Sequence, residues 1–307
     1  MVPILSAILV MLVSIYLVLG FDKAAVLVQS SVAAGNIPNN KIVSGNKMIP
    51  QPTTPKPPNS LGQMAPILTA TSSLVKDISS GALLFSKNEH EKIPVASTTK
   101  IMTALVGSEY FKSNDILEVK NLVGVSGATM GLILGERLSF RSLLYGMLLN
   151  SGNDAAYTIA HNYPGGYKSF VEAMNSKAQE FGLKNTHFDN PAGFDSVNHY
   201  SSAYDLSVIA TTAAENPQIM RVVGTKEAQV GSANGAEVHN LKNLNKLLST
   251  EGVIGFKTGF TPVAKENFVG LIERDGHRIL TVVLGSDDRF GETLKLINWA
   301  YANFSWN

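Results

Sequence analysis

Along the 307-residue chain the apolar positions change period several times, and each change marks a different kind of segment. Residues Val2–Gly20 (VPILSAILVMLVSIYLVLG) are apolar or small throughout and carry no charge. A run of that length suits a membrane-spanning helix or a secretion signal. Both readings stay open. An uncleaved anchor fits a run longer than an ordinary signal core with no Ala-x-Ala site behind it, while a cleaved signal would end at Val18 and Gly20. Residues 29–62 lose all periodicity, and stretches such as IPQPTTPKPPNSLG are rich in Pro, Ser, Asn and Gly. That composition cannot bury enough surface to fold and favours an extended, disordered linker. The organisation expected is a signal or anchor over 1–20, a linker over 21–62 and one folded head over 63–307.

Within the head, Leu74–Ile78 and Ala82–Ser86 are short apolar runs around Ser79-Ser80-Gly81, which predicts a hairpin. Helical spacing follows. Ser97–Tyr110 places Ile101, Ala104 and Leu105 on one face, and Phe140–Asn150 and Asp154–Tyr163 are further helices. Tyr167–Phe181 carries Phe170 and Met174 on one side and stops at Gly182, and Ala203–Ala214 is the next helix. Strand-like segments follow. Val253–Phe260, Asn267–Glu273 and His277–Leu284 read as strands, the last two joined by Arg274-Asp275-Gly276. Leu294–Phe304 closes the chain as a helix. Strands at both ends around a helical middle predict an α+β fold: one antiparallel sheet from both chain ends beside a helical cluster.

Composition removes several kinds of chemistry. Lys and Arg total 25 against 24 Asp and Glu, a net charge of +1 without a long basic block, so nucleic acid is not an expected partner. The chain has no cysteine, which excludes disulfides, thiolate catalysis and cysteine-ligated zinc. No His-Glu-x-x-His or Gly-x-Ser-x-Gly pattern occurs. No metal or cofactor is expected.

Three short motifs carry candidate chemistry. Ser97-Thr-Thr-Lys100 stands at a predicted helix start, where positions three apart share a face. Lys100 can then reach the Ser97 hydroxyl, and a desolvated lysine can act as its base. The same residues would also serve as a helix cap followed by a solvated lysine. Ser73–Lys76 and Ser44–Lys47 match the pattern too, but in a predicted strand and in the linker. Ser151-Gly-Asn153 offers a hydroxyl and an amide on a tight turn, or simply a turn and a capped helix. Ser-x-Asn recurs at Ser196, Ser232 and Ser305. Lys257-Thr258-Gly259 occurs once, on a predicted strand. It supplies a cation, a carboxylate-binding hydroxyl and a glycine that lets a substrate backbone approach closely, or alternatively an edge strand ending at a turn.

In this order the three motifs are the signature of penicillin-recognising serine enzymes. The segments Ala96–Ala104 (ASTTKIMTA), Asn150–Ala156 (NSGNDAA) and Gly255–Thr261 (GFKTGFT) resemble those of the D-alanyl-D-alanine carboxypeptidase family. Asn190-Pro-Ala-Gly193, His199-Tyr-Ser-Ser-Ala203 with Asp205-Leu206, and Asn243–Leu248 (NLNKLL) add to the likeness, which runs from about Ala65 to Phe304. The resemblance implies a β-lactamase/transpeptidase-like fold and an acyl-enzyme on Ser97. It implies Lys100 as base, Ser151 as proton relay to the leaving amine, Asn153 on the substrate backbone, and Lys257 and Thr258 on its terminal carboxylate. The N–H groups of Ser97 and Phe260 would form the oxyanion hole.

The implied substrate is a peptidoglycan stem peptide ending in D-Ala-D-Ala, and β-lactams are implied as covalent inhibitors. The implied location is the extracytoplasmic face of a bacterial membrane, reached through the N-terminal segment. Action on D-alanyl cross-links, β-lactam hydrolysis and inert wall binding stay as alternatives. Two positions depart from the family: Lys265, where glycine is usual, and the surroundings of Tyr204, where an arginine is common.

Overall fold

The computed structural model describes residues 55–306. The expected N-terminal apolar helix and the linker up to residue 54 lie outside the described residues. Among the described residues no helix is long and apolar enough to cross a membrane.

The first hairpin forms as β1 (Ser72–Asp77) and β2 (Leu83–Lys87). The helical middle follows as α1 (Lys100–Tyr110), α2 (Phe140–Leu148), α3 (Asn153–Asn162), α4 (Gly166–Glu180), α5 (Ala203–Ala214) and α6 (Pro217–Val223). Then come β3 (Val253–Thr261), β4 (Lys265–Arg274), β5 (His277–Ser286) and α7 (Arg289–Asn303). The five strands form one sheet in the order β2-β1-β5-β4-β3, every neighbouring pair antiparallel. Within this sheet the first strand in the chain therefore pairs with the last, Leu74 opposite Val282, as an α+β fold with strands at both ends requires.

The strands alternate between two apolar layers, because successive side chains leave opposite faces of a strand. Leu280, Val282 and Leu284 pack with the helical cluster, as do Leu74, Val269 and Leu271. Ile279, Val283, Val75, Phe268 and Ile272 pack instead with Leu296, Ile297 and Ala300 of α7. Each such buried side chain contributes roughly 1.5–3 kcal/mol relative to exposure. The sheet is thus held rigidly from both sides, which suits the strand that borders the cleft described below.

Several boundaries differ from the pattern-based expectation, each for a local reason. Helix α6 was not expected; Asn216 caps it, accepting from the N–H of Gln218 and Ile219, and Pro217 sits where no donor is needed. Helix α7 starts five residues before Leu294 because Asp288 accepts from the Gly291 N–H. The helix expected from Ser97 begins instead as a 3-10 turn, Ala96–Thr99. Residues 59–62, assigned by composition to the linker, join the head: Asn59 and Ser60 pair with Ser305 and Phe304, and the Leu61 N–H donates to Asn303 O.

Candidate active site

The site is built where that 3-10 turn meets the end of β3. Ala96 is held at φ 47°, and the Thr98 and Thr99 hydroxyls donate back to Val95 O and Ala96 O at 2.7 and 2.8 Å. Neither the turn nor α1 has a side-chain cap, so Ser97 is not the helix cap that its sequence context also allowed. Nor is Lys100 solvated, being wholly buried. Its Nζ has three oxygen partners: Ser97 Oγ at 2.9 Å, Asn153 Oδ1 at 2.7 Å and Ala192 O at 2.6 Å. Burial, then repulsion from Lys257, pushes Lys100 well below the usual lysine range, against a smaller pull from Asp154. A neutral amine has two hydrogens and one lone pair. In that neutral form Asn153 Oδ1 and Ala192 O, which can only accept, can take the two hydrogens, and the lone pair is then free for the Ser97 hydroxyl.

Ser151 follows α2 at φ 59°, a left-handed backbone that turns its hydroxyl toward β3. Lys257 Nζ donates to Ser151 Oγ at 3.1 Å and to Thr258 O at 2.9 Å. Lys257 is buried, and desolvation followed by repulsion from Arg289 lowers it to about 7. Asn153 opens α3 without capping it. Its Oδ1 receives Lys100, and its Nδ2 donates to Ser126 O at 2.6 Å.

Ser97, Ser151, Asn153, Thr258, Gly259 and Phe260 all border one cleft of about 380 Å³. Lys100 and Lys257 stand behind its wall, each pressed against one of the two serines. Among the described residues nothing hydrogen-bonds Thr258 Oγ1, and Phe260 is 59% exposed at the cleft. Gly259 also meets a close approach from within the chain. A Cβ there would lie 3.0 Å from Val95 O and 3.1 Å from Ser97 N, so the backbone that approaches it most closely is the protein's own serine turn. The rival Ser73–Lys76 pair lies in β1, where positions three apart leave opposite faces.

Other residues of the site were not legible as such. Arg289, first residue of α7, borders the cleft and donates from Nη1 to Gly259 O at 2.8 Å. Its backbone N–H donates to Glu266 Oε2. Asp154 accepts from the N–H groups of Met130, Gly131, Leu132 and Ala155, pinning the loop that carries the cleft residues Gly127 and Ala128. Asn190 and His199, noted only as parts of the resemblance, lie behind Ser97. Asn190 at least follows a recognisable signal, since an Asn-Pro pair favours a side-chain-stabilised turn.

Comparison with known proteins agrees with this geometry. Residues 59–288 match the peptidase S11 family, described as D-alanyl-D-alanine carboxypeptidase. The chain belongs to the D-alanyl-D-alanine carboxypeptidase family.

Within that family it is 32% identical over 245 residues to D-alanyl-D-alanine carboxypeptidase DacF of Bacillus subtilis, covering 76% of this chain and 63% of that protein. It is 34% identical over 272 residues to DacD of Escherichia coli, covering 83% and 66%. The chain thus spans just under two thirds of the length of these two relatives. The crystal structure of the Streptomyces K15 DD-transpeptidase superposes with a TM-score of 0.73 at 32% identity, covering 78% of this chain and all of that one.

Both departures from the D-alanyl-D-alanine carboxypeptidase pattern have a structural account. Lys265 has φ 53°, the backbone that glycine adopts without strain, and its ammonium meets Asp287 at 3.1 Å on the surface. It is not among the residues bordering the cleft. Tyr204 packs its ring 4.8 Å from His90, also away from the cleft.

Proposed function

We propose that this chain is a serine-type D-alanyl-D-alanine carboxypeptidase, removing the terminal D-alanine from peptidoglycan stem peptides through an acyl-enzyme on Ser97. The observation that carries the reading is the environment of Lys100, a wholly buried amine held well below the usual lysine range by burial and standing 2.9 Å from Ser97 Oγ. A serine hydroxyl needs such a base to attack an amide.

In the first step the Ser97 proton passes to Lys100 Nζ while Oγ bonds to the carbonyl carbon between the two D-alanines. The resulting oxyanion lies against the N–H groups of Ser97 and Phe260, the turn and strand end that Gly259 lets touch. The C–N bond then breaks. The leaving amine takes, through the Ser151 hydroxyl, the proton that Lys100 received, which leaves Lys100 neutral again; Lys257 keeps its own proton and orients Ser151 Oγ across 3.1 Å. Thr258 Oγ1 and Arg289 at the cleft hold the terminal carboxylate, with the charge of Lys257 behind the wall attracting it. Asn153 faces the substrate backbone while holding Lys100. Water hydrolyses the ester and returns Ser97. A β-lactam carries a carboxylate and a strained amide in the same relation, and acylates the same hydroxyl.

The proposed organisation is an exported protein, with residues 1–20 as signal or anchor and 21–58 as a spacer before the head. This rests on the uncharged run Val2–Gly20 and the proline-rich stretch behind it. The test is incubation of the head with a defined pentapeptide ending in D-Ala-D-Ala and, separately, with a cross-linked dimer. Free D-alanine is expected from the first and is lost in Ser97→Ala. Cleavage of the dimer alone would replace the carboxypeptidase reading with an endopeptidase one. Turnover by Ser97→Ala would end both.

A further inference from the structure

His199 is 2% exposed and has no part in the acyl transfer just described. Both of its ring nitrogens are nevertheless committed. The Asp189 backbone N–H donates to Nδ1 at 3.1 Å, and Asn190 Nδ2 faces the same nitrogen at 3.3 Å. A ring nitrogen that accepts carries no hydrogen, so the proton of the neutral imidazole sits on Nε2. Nε2 lies 2.8 Å from Thr99 Oγ1, whose own hydrogen goes to Ala96 O. Nε2–H therefore donates to Thr99.

The ring thus joins two segments remote in sequence. On one side is Asn190, whose Oδ1 accepts from the N–H groups of Ala192, Gly193 and Phe194 at 3.1, 2.7 and 2.9 Å. That turn delivers Ala192 O to Lys100. On the other side is the carbonyl of Ala96, one residue before Ser97. The two segments also touch directly, since a Cβ on Gly193 would lie 1.9 Å from Ala96 O.

Resting on the reading of Ser97 as nucleophile, we propose that His199 is a positioning residue. Its neutral imidazole ties the Asn190–Gly193 turn to the Thr99–Ala96 carbonyl and so holds Lys100 and Ser97 in register for acylation. A second proton on Nδ1 points at the Asp189 N–H and leaves that donor unpaired, which undoes the tie. Burial opposes that proton most; the Asp189 carboxylate favours it, and His187 and Lys100 oppose it, leaving His199 at about 4. Lys92 and Asp195 border the surface cavity next to the ring. The tie holds at neutral pH and opens in acid.

Acylation by a fluorescent penicillin is the readout, and wild-type labelling is its control. No labelling of the wild type would remove the reading of Ser97 itself rather than this role. His199→Phe keeps a ring and loses both hydrogen bonds. It is expected to acylate about 100-fold more slowly, with KM for the pentapeptide changed less than about threefold, the pattern of a misplaced nucleophile rather than a damaged binding cleft. His199→Gln, whose amide can still donate to Thr99, is expected to recover about tenfold of that loss. It is also expected to lack the acid limb that protonation of His199 would give the wild-type acylation profile near pH 4. Thr99→Val is expected to match His199→Phe, and the double variant to be no slower than either. Wild-type rates in Thr99→Val, or in a His199→Phe that keeps its near-ultraviolet circular dichroism, would overturn the role, as would additive losses in the double variant. Should His199→Phe not fold, Thr99→Val and the pH profile of His199→Gln decide alone.

Discussion

Lys100 Nζ stands 2.9 Å from Ser97 Oγ, and its two other partners, Asn153 Oδ1 and Ala192 O, are both pure acceptors. Burial first, then the charge of Lys257, favours the amine over the ammonium. Replacing Lys100 by Met keeps the bulk and removes the base. Acylation by penicillin is expected to fall by about 10²–10⁴-fold, the usual contribution of a positioned general base. Thermal unfolding is expected at lower temperature, because Asn153 Oδ1 and Ala192 O lose their donor and a buried unpaired acceptor costs about 1–3 kcal/mol. An unchanged acylation rate would assign the proton to another group.

Lys257 differs from Lys100 in that burial is joined by repulsion from Arg289, with no offsetting acidic group among the described residues. Desolvation, then the guanidinium, brings it to about 7. Its ammonium is present below that pH and lost above it, so carboxylate binding weakens on the alkaline side and KM rises there. In Arg289→Leu the repulsion is gone. The ammonium then persists to higher pH, and the alkaline limb of kcat/KM moves upward. KM at neutral pH rises as well, since one carboxylate partner is missing. A pH–rate series on both proteins checks the two signs together; a downward shift of the limb would contradict the assignment.

Gly193 has φ 91° and lies against Ala96 O so closely that a Cβ would sit 1.9 Å away. The obstacle is backbone, which cannot swing aside as a flexible side chain can. Gly193→Ala is expected to lose about 1–3 kcal/mol from the left-handed conformation alone. The clash adds to that and displaces the residue preceding Ser97. Urea unfolding should show the loss, and penicillin labelling of the folded fraction should be slowed. A variant with wild-type stability would mean that the turn yields more easily than its packing suggests.

Lys265 tests the opposite case. Its left-handed backbone costs a residue with a side chain roughly 1–2 kcal/mol. Glycine would remove that strain but adds about 0.5–1 kcal/mol of chain entropy. It would also lose an exposed ion pair with Asp287 of the kind worth about 0.2–1 kcal/mol. These contributions nearly cancel. Lys265→Gly is expected within about 0.5 kcal/mol of the parent by urea unfolding, with unaltered D-alanine release because Lys265 does not border the cleft. A changed KM would show that this position reaches the substrate after all.

Most of the sheet was readable because β1, β4 and β5 are short, nearly continuous apolar runs, whose alternate positions go to two different layers. Helix α6 was missed because seven residues give too few turns for a period to show. The start of α7 was misplaced because its first turn, Arg289-Phe290-Gly291, carries little of the apolar face; the cap at Asp288 is the signal that was available.

The covalent sequence determined the pairing of Ser97 with Lys100, because one helical turn brings a hydroxyl and an amine three residues apart onto the same side. It also determined the order of the three motifs and the two-layered apolar pattern that makes the sheet. Tertiary structure alone decided that Lys100 is buried and bonded to Asn153 and Ala192, 53 and 92 residues further along the chain. It alone set Lys257 against Ser151, 106 residues away, and brought Arg289 to the same cleft. Periodicity reports which face of an element is apolar, not which other element will cover it. Desolvation, and with it the basicity of a lysine, depends on that covering.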